Sequence, residues 1–138
     1  MNTPTLREIT SHKCNGLNDA LQITAIDEPG PGNAHHNYVI TWEASERARS
    51  NWNVEDFDGR MSLPVVFQKG PIKESGVNGV SNESLLAIVQ DRLLSFQRGP
   101  YACDENNEAL MAVESAIFNL NKRTEARMQR GVEGTNQR

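Results

Sequence analysis

A chain of 138 residues fits one domain, or one domain with an appendage, and can bury only a modest core. Hydrophobic residues make up 37%, charged residues 23%, and the formal net charge is −4. That balance argues against a partner such as long nucleic acid, whose binding needs a broad positive surface, yet leaves room for a small phosphate ligand held by two or three arginines.

The opening segment, MNTPTLREITSHK, has no apolar h-region, and nowhere do 18 apolar residues run together. The expectation is therefore no signal peptide, no membrane contact and a cytoplasmic protein. Cys14 and Cys103 form no metal-ligand spacing and are expected to be a reduced pair.

Up to about residue 80 the chain reads as strands and loops. Ala20 to Asp27 (ALQITAID) alternates β-branched residues, and Asn37 to Glu43 (NYVITWE) repeats the pattern. EPGPGNAHH between them fits a long hairpin connection, with His35-His36 read as a polar turn. Arg60 to Gln68 (RMSLPVVFQ) is a third strand, and Pro64 marks it as an edge or a bulge. Three strands make a small antiparallel sheet that needs something to pack on.

Beyond residue 80 the pattern becomes helical. GVNG at 76–79 is a turn, and Ser81 is a fitting N-cap for a helix carrying Leu85, Leu86, Ile88, Val89, Leu93 and Phe96. Arg98-Gly99-Pro100 stops it. Asp104 starts a second helix with a stripe of Leu110, Val113, Ile117 and Leu120, uninterrupted until Gly131. That helix should run about 27 residues, or about 40 Å. GVEGTNQR then reads as a tail. The fold class is α+β: a small N-terminal antiparallel β-sheet in about 20–70 and a C-terminal antiparallel αα-hairpin in about 80–131, within a single domain of residues 1–138. A helix this long exceeds what one small domain needs, so self-association through the hairpin is expected, with ligand sites between subunits.

Chemistry concentrates at the ends of the helices. Arg123, Arg127 and Arg130 stand at i, i+4 and i+7, within about 60° on one side of the second helix. Such guanidiniums suit phosphate oxygens, although arginines near a helix C-terminus are common and Glu125 or Glu133 could partner them. Arg127, nearest the apolar stripe, is the residue whose removal should abolish binding and leave the fold intact. Phe96 and Tyr101 flank the interhelical turn, where an aromatic can stack on a nucleobase or simply fill the core. Asn106, in the first turn of the second helix, can read a base edge or cap the helix. Arg92 shares the apolar face of the first helix, so it needs a partner or a ligand. Glu43, Glu46, Asp56 and Asp58 could pair as carboxylates, but nothing fixes their geometry. No nucleophile has an obvious base and no metal-ligand set is spaced for use, which points away from an enzyme.

From residue 67 onward the sequence resembles a known domain. GPIKESGVNG at 70–79, FQRGPYACDEN at 96–106 and KRTEARMQRGVEGT at 122–135 resemble the C-terminal hairpin shared by two phage sponge families. One is the anti-Thoeris sponge family, which traps glycocyclic ADP-ribose. The other is the anti-CBASS sponge family, which traps cyclic di- and trinucleotides. The β-rich first half is similar to the anti-Thoeris side.

The resemblance implies a non-catalytic protein without cofactors that holds the signal intact in pockets at a dimer interface, in the cytoplasm of the infected bacterial host. It places adenine on Phe96, a polar contact on Asn106 and phosphate contacts on Arg123 and Arg127. A trimer of dimers is the larger assembly it implies, with Arg130 and Thr135 as a possible second site for cyclic oligonucleotides. Asp104 departs from the arginine more usual at that point and removes one local positive charge.

Overall fold

Alternating side chains in the first half build an antiparallel sheet, and helical periodicity in the second half builds a hairpin. The computed structural model describes residues 6–43, 56–57 and 60–135. It divides into two units, Met1–Lys69 and Gly70–Arg138.

The first unit contains β1 (Arg7–Ile9), a short helix α1 (Gly16–Ala20), β2 (Gln22–Ala25), a 3-10 turn (Pro31–Asn33), β3 (Asn37–Trp42), β4 (Asp56–Phe57) and β5 (Arg60–Val66). The strands lie in the order β1-β2-β3-β5-β4, and every neighbouring pair is antiparallel. The register pairs Ile9 with Ile23, Ile23 with Ile40, and Ile40 with Leu63. Side chains alternate across a strand, so these four share one face with Ala25, Tyr38, Trp42, Met61 and Val65. Ala25 and Met61 are its fully buried members.

Residues 26–36 connect β2 to β3 as the long connection the sequence implied. The Asp27 carboxylate holds it together, accepting the backbone N–H of His36 at 3.0 Å and of Asn37 at 3.1 Å. His35 donates through Nδ1 to the Asp27 carbonyl at 2.6 Å. Three readings of this half are corrected. The sheet has five strands rather than three, because the short β1 and β4 pair onto β2 and β5. Ala20 and Leu21 are not strand, because Asn15 caps α1 by accepting the Asn18 N–H, and Ile26 and Asp27 already belong to the connection that follows β2. His36 is not on a polar turn surface but buried, its ring against Gly30. Glu46 and Asp58 lie outside the described residues.

The second unit contains α2 (Ile72–Ser75), α3 (Asn82–Gln97) and α4 (Asp104–Gln129). Ser81 and Ser84 cap α3 reciprocally, each side-chain oxygen accepting the other's backbone N–H at 3.1 Å. Gln97 meets Cys103, and Gln90 donates to Glu114 at 3.3 Å, so α3 and α4 run antiparallel. With 16 residues against 26, α4 outruns α3 by about 15 Å.

α4 ends in a Schellman motif. Val132 N–H reaches the Arg127 carbonyl at 3.1 Å, Gly131 N–H reaches Met128 at 3.0 Å, and Gly131 takes the left-handed φ of 73° this closure requires. The segment read as a tail is therefore structured as far as Thr135. Gly134 sits so close to α2 that an added Cβ would lie 3.2 Å from the Ile72 side chain.

The hairpin buries very little of itself. Among the described residues of this unit only Leu110 and Arg127 are buried, while Ile88, Val89, Phe96, Met111 and Phe118 are exposed. Cys14 and Cys103 are both exposed free thiols.

Candidate functional site at the helix ends

The interhelical turn is closed by one glutamine. Gln97 donates through Nε2 to the Cys103 carbonyl at 3.3 Å and accepts the Cys103 N–H at 3.2 Å. Cys103 then caps α4, its sulfur accepting the Asn106 N–H at 3.4 Å. This brace holds the last turn of α3, with Phe96, beside the first turn of α4, with Asn106. Phe96 is 39% exposed, so it is not the closed core residue that its periodicity also allowed. Arg92 places its guanidinium carbon 5.6 Å from the centre of that ring. Tyr101, in the turn, is exposed.

The arginine strip is at the other end of α4. Arg123 and Arg130 are exposed and Arg127 is buried. The Arg127 guanidinium donates through Nε to Glu133 at 2.9 Å, and through Nη2 to the carbonyls of Val132 and Thr135, each at 3.0 Å. It is thus built into the turn that follows its own helix. The expectation that Arg127 can be removed without touching the fold does not hold. The Thr135 hydroxyl donates to the Val132 carbonyl, within the same turn.

Within one chain the candidate residues form two groups rather than one. Asn106 and Arg123 are separated by 17 positions of continuous helix, or about 25 Å along the axis. Phe96 and Asn106 stand at the turn end; Arg123, Arg127, Arg130 and Thr135 stand at the far end. Sequence reasoning missed the Gln97–Cys103 brace, whose only signal was a glutamine ahead of the Arg98-Gly99-Pro100 stop. It flagged Arg92 as an apolar-face charge in need of a partner or a ligand; Arg92 is instead exposed, with the Phe96 ring beside it. Among the described residues no group of His, Cys, Asp and Glu could hold a metal ion, and no helix is long and apolar enough to cross a membrane.

Comparison with known proteins gives a family for the hairpin. Residues 62–125, from β5 into α4, match the Acb2/Tad1 hairpin domain. Over 85 residues, 62% of this chain, the sequence is 49% identical to Thoeris anti-defense 1 of Bacillus phage SBSphiJ7. The chain spans 59% of the length of that relative. Residues 62–125 of this chain thus match the Acb2/Tad1 hairpin domain, and the chain is similar over 62% of its length to a phage Thoeris anti-defense protein.

Proposed function

We propose that this protein is a non-catalytic sponge that binds glycocyclic ADP-ribose and withholds it from Thoeris defence in the cytoplasm of the infected bacterium. The observation that carries this reading is the separation of the candidate residues into two groups at opposite ends of α4. A second copy laid antiparallel along the exposed helix face brings Phe96 and Asn106 of one copy to Arg123 and Arg127 of the other. A two-fold dimer then has two equivalent pockets, each with a stacking ring at one side and guanidiniums at the other. The exposed Ile88, Val89, Met111 and Phe118 supply the apolar surface such a dimer buries.

Each part has a physical role. Phe96 stacks the adenine and Asn106 reads a polar edge of the base or ribose. Arg123 holds the diphosphate with forked, charge-assisted hydrogen bonds, and Arg127, its guanidinium committed to Glu133 and to the Val132 and Thr135 carbonyls, adds positive charge at that end of the pocket. A nanomolar site needs about −12 kcal/mol. Stacking contributes about 1–3 kcal/mol, and the arginines in a partly desolvated cleft must supply most of the rest. No bond in the ligand is broken, so no general base or nucleophile is required. The two units act together as one domain. A trimer of such dimers offers Arg130 and Thr135 as a second site for cyclic di- or trinucleotides.

Titration tests the reading. Glycocyclic ADP-ribose is mixed with the protein at rising ratios, and the protein is then heat-denatured. A sponge saturates at a fixed stoichiometry and releases the ligand unchanged. Clearance of a large excess of ligand, or recovery of an altered compound, would show an enzyme instead. A thermal shift of about 2.7 kcal/mol equivalent at 100 times Kd is the cheaper first check.

A further inference from the structure

We propose that Arg92 is a positioning residue for the stacked base, acting through Phe96; this rests on the sponge reading above. Arg92 precedes Phe96 by one helical turn, and its guanidinium carbon lies 5.6 Å from the ring centre, within cation–π range. Among the described residues the ring is its only partner, so the contact is not a by-product of an ion pair. Arg92 is itself exposed, on the side of α3 that carries the exposed Val89 and Phe96.

The arrangement does two things for a base arriving at Phe96. A ring 39% exposed is gripped by little else, and a side chain that must be ordered on binding costs affinity. Arg92 settles that orientation beforehand. Aromatic faces also carry negative potential, and a cation over one face draws that density toward itself. The opposite face is left less electron-rich, which favours stacking by an electron-rich purine. Arg92 thus backs the platform, and the base occupies the side away from the guanidinium.

A double-mutant cycle tests this on the intact protein, using calorimetric titration with glycocyclic ADP-ribose. Arg92→Met keeps side-chain length and removes the charge. It should weaken binding about two- to fivefold, the size of one exposed cation–π contact. In a Phe96→Leu background the same change should have no further effect, because its route to the ligand is gone. Arg92→Lys should recover part of the loss. Ring-proton NMR shifts of Phe96 in the unliganded protein give a second readout: they should move in Arg92→Met and return toward wild type in Arg92→Lys.

Equal losses with and without Phe96 would mean that Arg92 touches the ligand itself, and the proposal is wrong. Wild-type affinity and unmoved ring shifts in Arg92→Met would also overturn it. If wild-type protein takes up no nucleotide at all, the sponge reading falls instead, a result distinct from either of these.

Discussion

Arg127 and Glu133 lie six residues apart and meet at 2.9 Å across the end of α4, the guanidinium almost wholly buried and the carboxylate partly open to solvent. With the Val132 and Thr135 carbonyls on the same guanidinium, this pair turns the segment after the helix into a fixed element. Arg127→Ala should therefore lower stability by about 1.5–3 kcal/mol as well as weaken ligand binding. Thermal melting checks the first effect, and faster amide exchange at residues 131–135 should accompany it. Arg127→Ala protein that melts like wild type would show that the turn holds without its clamp.

Arg123 is the cleaner probe of phosphate binding, because its side chain is exposed. Arg123→Ala should cut affinity roughly 10- to 150-fold, the worth of one charge-assisted contact. Its melting temperature should stay within about a degree of wild type. Unchanged affinity in calorimetry would remove Arg123 from the site.

Mixing variants tests the two-group geometry directly. Phe96→Ala and Arg123→Ala proteins should each bind poorly alone. After joint unfolding and refolding, a mixed dimer regains one pocket with both groups intact. Random pairing then gives roughly one ligand per four chains in titration. No recovery on mixing would mean that the two groups do not share a pocket.

Phe118→Asp places a charge in the middle of the exposed face of α4, where Phe118 is 67% exposed. A folded monomer has little reason to lose stability from this change. An assembled hairpin loses its partner, so light scattering should show a smaller species and ligand binding should fall together. A variant with the mass of wild type would place the interface elsewhere.

The connection between β2 and β3 should respond to acid. Burial pushes the Asp27 carboxyl upward, but the N–H groups of His36 and Asn37 and the nearby His35 outweigh it, and its pKa ends below the ordinary value of 3.8. A depressed pKa adds stability above the unfolded value, and that stability is lost as pH falls through the folded one. Wild type should thus lose stability below about pH 4, and Asp27→Asn should show a flatter acid profile with a lower plateau at neutral pH. Identical pH–melting curves for the two proteins would contradict this.

Much of the hairpin was legible because its signals are short-range. Ser81 announced the start of α3, Arg98-Gly99-Pro100 its end and Asp104 the start of α4, each through groups a few residues away. β1 was not legible: Arg7–Ile9 is too short to show alternation, and only pairing with β2 makes it a strand. The burial of Arg127 was half legible. Glu133 was a nameable partner by spacing, but two carbonyls folding back onto a guanidinium leave no pattern in residue types. Phe96 could be read as core or as platform, and only its exposure separates the two.

The sheet carries one further consequence, through Pro64. Among the described residues β4 pairs only with Arg60 and Met61, while β3 takes the other side of β5 along its whole length. Pro64 stands opposite Val39 in that pairing, so the position of its missing N–H faces outward. A strand of this kind is a poor template for a stray strand from another molecule. A sponge of the kind proposed above would have to outnumber its ligand, and at high concentration such strand addition seeds aggregation. One proline in mid-strand removes the donor that such an addition would use at that point of the edge.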